Sequence, residues 1–313
     1  MRSPRSNGAW PRRRSASLPI QPSSPCGPAG RRCIASQARS RPPEEVDSLH
    51  LLGGIGAAAH APILTHAAPG LLGLDDWQRV PPPGELGRRM EAPSHARWRS
   101  FRESEESRYV ALVLPPSTPS APGPFAPGAA PRIGGAWLLA GAILQGFTEV
   151  GWGAVPPGWT AGPDAAGPLA VRIENPTALA QLGFIAAVPV PSGAAFPLRP
   201  TVQRPKRYSR DDATRQAEAR ARLDHVMAMG RYAQALTVVG RRQRRAGADA
   251  GTIRRSLSDW LAPHADGEDA PLAVARVEVQ PARRHGTPLL VAWLAPQPGS
   301  VALEPEPVAL DVL

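Results

Sequence analysis

Cysteine is nearly absent from this sequence. The 313 residues contain two, Cys26 and Cys33, and their C-x6-C spacing matches no zinc-binding template. The chain beyond them can therefore form no disulfide and has no thiol nucleophile. A cysteine-free body is compatible with a reducing compartment, so a cytoplasmic location is predicted.

Familiar catalytic patterns are missing as well. The seven histidines are scattered without H-x3-H or H-E-x-x-H spacing, and neither a G-x-S-x-G elbow nor a G-x4-G-K-[ST] phosphate loop is present. Aromatic residues make up 5% of the chain and are not interleaved with basic ones, which argues against a stacking platform for nucleic acid. We therefore predict a protein that is not an enzyme and needs no cofactor.

Long hydrophobic runs are also lacking. The longest, residues 133–144, is about twelve residues including glycines, whereas a membrane-spanning helix needs about twenty. No membrane segment is predicted.

Acidic residues and lysine are absent from the first 43 residues, which contain nine arginines. The other 27 of the 36 basic residues stand against 26 acidic ones, so the net charge of +10 belongs almost wholly to this tail. Because few large apolar residues are available there to offset chain entropy, residues 1–45 are predicted to be disordered. A transit peptide, a phosphate-binding arm and translated upstream sequence all fit this composition, and nucleic acid is not an expected partner.

A charge-dense turn followed by an apolar strand is the most informative stretch that is present. After Trp98 the turn carries the charged residues Arg99, Arg102, Glu103, Glu105, Glu106 and Arg108. Residues 109–114, beginning at Tyr109, are apolar on both alternating faces, which predicts a strand buried on both sides. The turn predicts a charge network at the mouth of a sheet, in which the arginines hold Glu103 and Glu106 ionised.

Apolar periodicity and turn residues divide residues 46–313 into alternating helices and strands. The predicted helices are 46–61, a buried helix from Trp137 through Leu144 to 150, 177–182 closed by Gly183, 209–240 capped by Ser209, and 252–261 stopped by Pro263. The predicted strands are 109–114, 169–173, 184–190, 272–279 and 288–294, and a Pro/Gly-rich loop occupies 114–135. This order favours an α/β architecture, a mixed sheet with flanking helices.

One glycine-rich stretch imitates a nucleotide-binding fingerprint. Gly54–Ala59 fits G-x-G-x-x-A, and Asp75 follows about twenty residues later. A true fingerprint follows a strand and opens a long helix, whereas Pro62 ends this helix early. An NAD- or NADP-dependent oxidoreductase therefore remains an alternative function.

The C-terminal part of the chain, residues 271–296, predicts a β-hairpin with an edge that must be covered or used. Pairing with a strand of another chain is one such use. The candidate pairing residues are Val274, Val277, Val279, Leu290, Val291 and Trp293.

Short pieces along most of the chain match one known family in order. They are Ala61–Ile63, Leu71–Leu74, Trp98–Val110, Glu149–Trp152, Leu182–Phe184, Gln203–Tyr208, Gly230–Ala233 and Leu257–Trp260. Over about 240 residues the chain resembles the large subunit of the type VI secretion contractile sheath, the TssC/VipB family. The family-signature and packing residues that the resemblance implies are Trp98, Arg99, Arg102, Glu103, Arg108, Tyr109, Gly151, Trp152, Gly183, Phe184 and Trp260.

The resemblance implies a structural role for a sheath-subunit core at residues 46–313. In that family, large and small subunits pair and stack as a tube around rings of Hcp, and neighbours exchange strands. The expected partners are the small sheath subunit (TssB/VipA), neighbouring large subunits and the Hcp inner tube. Residues 1–45 do not resemble the family's N-terminal region, which the ATPase ClpV reads, and 115–135 replaces its arginine- and proline-rich motif. ClpV is therefore left out of the expectation, and a relic that no longer assembles is a second alternative.

Overall fold

The structure is a computed structural model that describes residues 42–76, 80–116, 134–150, 159–161, 169, 172–191, 193–267, 270–280, 289–297, 303–310 and 312. All of these lie within the unit Ser40–Leu313. Most of the predicted tail lies outside them, but its last four residues, 42–45, begin the first helix. Gly151, Trp152 and most of the predicted loop 114–135 also lie outside the described residues.

Helices and strands alternate along much of the described chain. The helices are α1 (Pro42–Ala59), α2 (Pro83–Glu91), α3 (Ala96–Arg102), α4 (Gly135–Val150), α5 (Pro176–Gln181), α6 (Asp211–Arg220), α7 (Leu223–Arg245) and α8 (Ala250–Ala265). The strands are β1 (Ile63–His66), β2 (Val110–Leu114), β3 (Thr160–Ala161), β4 (Phe184–Ala186), β5 (Val188–Val190), β6 (Gly193–Ala195), β7 (Leu272–Gln280), β8 (Leu289–Pro296) and β9 (Glu306–Leu310). The α/β class predicted from the sequence is confirmed.

The described strands form three sheets of three strands each. The first has the order β1-β2-β4 and is parallel throughout, whereas β3-β6-β5 and β7-β8-β9 are antiparallel. Parallel and antiparallel pairs therefore lie in separate sheets rather than in one mixed sheet.

Strand β2 is the centre of the first sheet. Ile63 of β1 pairs with Val110, and Phe184 of β4 pairs with Leu112, so β2 has a neighbour on each edge. Val110, Leu112 and Leu114 face one core cluster while Ala111 and Val113 face another, and all five are buried. Burial on both faces explains the continuous apolar run, and the prediction of a central buried strand is confirmed.

A third core lies between helices α7 and α8 and the C-terminal sheet. Tyr232 and Leu236 of α7, Leu257 of α8 and Leu290 of β8 are among its buried members. Alternate residues of β8 point into this core, as the period of a strand requires. Truncating such a buried leucine to alanine costs about 2–5 kcal/mol.

The predicted helix 209–240 is two helices. Between α6 and α7, Thr201 N donates to Ala221 O and Leu223 N donates to Arg199 O, both at 2.9 Å, so this backbone pairs with another segment instead of continuing the helix. The capping prediction for Ser209 is wrong, because residue 210 is the N-cap of α6 and no side chain caps it.

Four further predictions need correction. Helix α8 runs past Pro263 to Ala265, because a proline in the last turn removes only one intrahelical bond. Residues 184–190 divide into β4 and β5 of different sheets, and Arg172 and Ile173 are not strand. Trp137 and Leu144 are exposed in the described structure, because Leu139 and Ile143 form the buried face of α4.

Candidate functional site

Arg102 is the buried centre of the charged turn. It ends α3, and its Nε donates to Val202 O while its Nη2 donates to Gln181 O, both at 2.9 Å. Burial, followed by the charge of Arg204, lowers the pKa of Arg102 to about 10. The guanidinium thus joins the end of α3 to two chain segments that lie far away in sequence.

The predicted salt bridges within the turn are wrong. Arg99 Nη1 donates to the carbonyls of Met90 and Ala92 at 2.9 Å each, and Arg102 likewise bonds carbonyls. No described basic side chain forms a salt bridge with Glu103 or Glu106. Arg99 and Arg102 bind backbone carbonyls instead of the carboxylates of the turn.

The charge network at this end of the sheet is completed by a residue that sequence reasoning missed. Glu306, the first residue of β9, accepts hydrogen bonds from Arg108 Nη1 at 3.0 Å and from Arg108 Nη2 at 3.4 Å. His225 Nε2 of α7 lies 2.7 Å from Glu306 Oε2. The side chains of Arg108 and Glu306 are only 18% and 16% exposed, so water screens this pair weakly.

The environment of Glu306 favours its charged form. Burial by itself raises the pKa of a carboxyl group, but the hydrogen bond from His225 and the charge and hydrogen bonds of Arg108 outweigh it and lower the pKa of Glu306 to about 2. Glu306 is therefore ionised at neutral pH and fixes the start of β9 against α7 and the charged turn.

A second buried carboxylate organises the break between α6 and α7. Asp224 Oδ2 accepts from Arg222 at 2.6 Å and from Arg199 at 3.4 Å. The Arg199 guanidinium also lies 4.8 Å from the ring centroid of Trp159. Burial opposes ionisation of Asp224, but the hydrogen bond and charge of Arg222 prevail, so the pKa of Asp224 is lowered.

The remaining described signature residues serve packing. Phe184 stacks on Trp98 with ring centroids 5.5 Å apart. Gly183 has a φ of +86°, and a Cβ there would lie 3.0 Å from Val202 O, so this helix-to-strand turn needs glycine. Trp260 packs against His264 with centroids 4.6 Å apart.

The glycine-rich stretch of α1 is not a nucleotide loop. Gly54–Ala59 lies inside a continuous helix and follows helix rather than strand, so the geometry of the fingerprint is absent. A Cβ on Gly56 would lie 2.8 Å from Tyr109 Cβ, and one on Gly53 would lie 2.9 Å from Glu106 O. These two glycines let α1 approach the charged turn, and the oxidoreductase interpretation loses its basis.

The C-terminal sheet has β8 in its middle. Leu290, Val291 and Trp293 therefore lie on a strand whose edges are already occupied by β7 and β9. The pairing hypothesis thus rests on the three β7 residues, Val274, Val277 and Val279. Trp293 connects β8 to β7 through two contacts. Its Nε1 donates to Glu278 at 2.9 Å, and the Arg276 guanidinium lies 5.2 Å from its ring.

The described residues contain no group of three or more His, Cys, Asp or Glu side chains placed to hold a metal ion. No helix among them combines the length and apolar character needed to cross a membrane. The features that the described residues do contain are ion pairs between separate elements and strands at the outer edges of the sheets.

Comparison with known proteins gives the class. Residues 28–122, which include the charged turn and β2, match the family model described as EvpB/VC_A0108, tail sheath N-terminal domain. This stretch, which is similar to tail-sheath proteins, contains β1 and β2, two of the three strands of the first sheet.

A curated relative is more specific. The chain is 28% identical over 286 residues to the type VI secretion system sheath protein TssC1 of Pseudomonas aeruginosa strain PAO1. The alignment covers 76% of this chain and 57% of that protein, so the chain spans little more than half the length of its relative. The resemblance to the large subunit of the type VI sheath is confirmed by both comparisons.

Proposed function

We propose that the chain is a structural subunit of a type VI secretion contractile sheath. In this proposal it pairs with a small sheath subunit (TssB/VipA), neighbouring large subunits and an Hcp inner tube in the cytoplasm, and it catalyses no reaction. The main support is the alignment with a sheath protein over 76% of the chain, together with the family-model match over residues 28–122, which includes the strand and turn at the centre of the fold.

An open strand edge supports assembly. Among the described residues, β7 and β9 are the two outer strands of the C-terminal sheet. The nine residues of β7 span about 30 Å, whereas β9 is five residues long and contains Pro307, which lacks a backbone donor. Strand β7 is therefore the edge better suited to accept a strand from another subunit.

Copurification tests the proposal. The full chain, co-expressed with a small sheath subunit of the same secretion system, is expected to retain that subunit on an affinity column. A charge on an edge strand discourages strand addition, so Val279→Glu on β7 is expected to lower the amount retained. Val279 and Val238 are both exposed, and Val238→Glu on helix α7 is the matched control that leaves retention unchanged.

Two results would count against this account. Failure of the unaltered chain to retain any small subunit would remove the proposed pairing and favour a relic that no longer assembles. Equal retention by the two glutamate variants would show that the edge of β7 is not where subunits pair.

A further inference from the structure

A groove rich in cationic side chains lies beside the charged turn. Its volume is about 620 Å³, and its walls come from that turn, the segment Gln203–Tyr208, helix α6 and the start of β9. Five cations line it: Arg108, Arg204, Lys206, Arg207 and Arg220.

Internal ion pairs neutralise only part of this charge. Arg108 pairs with Glu306 at 3.0 Å, and Lys206 pairs with Glu105 at 3.2 Å. Neither Arg204 nor Arg207 forms a salt bridge with a described residue.

Arg220 adds a third cation without a carboxylate partner in the described chain. It donates to two neutral acceptors, Gln216 Oε1 at 3.4 Å and Glu304 O at 3.1 Å. The third carboxylate of the groove, Glu103, forms no salt bridge with a described residue. After internal pairing, the groove therefore contains three guanidinium groups and one carboxylate that form no salt bridge with a described residue.

The excess of positive charge also acts on a neighbouring buried group. The charge of Arg204 also helps to lower the pKa of Arg102 behind this wall, as expected where positive charge is in excess.

We propose that this groove binds an acidic polypeptide segment of a partner protein. From Arg204 to Arg207 the chain is neither helix nor strand, and its cations are spread over as much as about 10 Å instead of converging on one point. Carboxylates spaced along a peptide can meet such cations one by one, while Pro205 and Tyr208 offer apolar surface beside them. A compact phosphate would reach few of the cations and would lie near Glu103 and Glu105. This site does not involve the edge of β7, so it is tested separately from the proposed sheath function.

Binding of a labelled oligoglutamate peptide to the full chain, followed by fluorescence anisotropy, tests the proposal. The double variant Arg204→Gln/Arg207→Gln is expected to weaken binding about fivefold or more. Arg242→Gln/Arg244→Gln, at the exposed end of α7, makes the same change in net charge and is expected to weaken binding less than twofold. Glu105→Gln removes a competing carboxylate and is expected to tighten binding about twofold.

A second readout needs no variant. Lys206 is the single lysine of the 313 residues and lies in the groove, so its acetylation can be followed by mass spectrometry without interference from other lysines. Oligoglutamate is expected to slow acetylation of Lys206 at least threefold, and oligoglutamine is expected to have no effect. Equal weakening by the two double variants, or unchanged acetylation of Lys206, would overturn the proposal. So would displacement of the peptide by pyrophosphate at equal concentrations of charge, because the groove would then be a phosphate site.

Discussion

At residue 306 a single carboxylate connects three parts of the chain. Glu306 starts β9, pairs with Arg108 of the charged turn at 3.0 Å and lies 2.7 Å from His225 of α7. The cluster is mostly buried. Removing one member therefore leaves a buried charge without a partner, and this lowers the free energy of unfolding by more than an ion pair contributes at the surface.

Glu306→Gln is therefore expected to lower the free energy of unfolding at pH 7 by about 2–4 kcal/mol. The loss arises because Arg108 remains buried beside a neutral amide. Chemical denaturation followed by circular dichroism measures the difference. Glu304→Gln, two residues earlier at an exposed position, is the control with the same chemical change and should lie within about 0.5 kcal/mol of the unaltered chain.

The same carboxylate predicts a pH dependence. The pKa of Glu306 is lowered from 4.5 to about 2, so the stabilisation it provides is fully present above about pH 5. It is lost as the pH falls from about 4.5 towards 2, because over this interval the Glu306 carboxyl group binds a proton in the unfolded chain but stays ionised in the folded one. The difference in stability between the unaltered chain and Glu306→Gln should therefore shrink over this interval. A constant difference from pH 7 to pH 2.5 would contradict this role.

Gly230 of α7 makes a close approach that no other residue permits. A Cβ at this position would lie 2.2 Å from the backbone oxygen of His60, just after α1. Gly230→Ala is expected to destabilise the chain by more than about 2 kcal/mol, because backbone must move. Gly54→Ala is the control: a Cβ there meets nothing within 4 Å, so a gain of up to about 1 kcal/mol is expected from helix propensity. Thermal denaturation of the two variants provides the comparison, and similar melting temperatures would refute the close approach.

At the scale of elements, helix starts differ in how they are secured. Asn175 caps α5 by accepting from Ala178 N at 2.9 Å. Helix α6 has no such cap, and Thr214 Oγ1 instead accepts from Tyr208 N at 2.9 Å in the turn before it. The S-x-x-D pattern at Ser209 has the composition of a capping box without its geometry.

Asn175→Ala is accordingly expected to cost about 1 kcal/mol of stability, while Ser209→Ala is expected to stay within about 0.5 kcal/mol. Both changes remove a small polar side chain next to a helix, so their difference isolates the cap. Urea unfolding of the two variants measures it. A larger loss for Ser209→Ala than for Asn175→Ala would show that the capping assignment is reversed.

Local patterns predicted some elements and missed others for identifiable reasons. Strand β2 was predictable because five consecutive apolar residues reflect two buried faces of one strand. Strand β9 was missed because its five residues contain Pro307 and alternate weakly. The partner of Arg108 could not be found by spacing, since 198 residues separate it from Glu306.

The division of the predicted helix 209–240 has the same origin. The predicted helix is interrupted where the backbone of Thr201 pairs with that of Ala221. The helical periodicity on either side does not indicate this contact. The resemblance to sheath subunits is confirmed because it draws on many short matches spread along the chain rather than on one local pattern.

At the scale of the whole molecule, we propose a subunit that acts through its surfaces. Ion pairs hold β9 and the α6–α7 break in place, and among the described residues β7 is an outer strand of the C-terminal sheet. The chain spans 57% of the length of its relative TssC1.

Negative-stain electron microscopy of the full chain co-expressed with the small sheath subunit tests whether the chain assembles as a sheath subunit. We predict tubular or stacked assemblies that contain both proteins and that become fewer with Val279→Glu but not with Val238→Glu. A chain that stays a monodisperse monomer in the presence of the small subunit would contradict it.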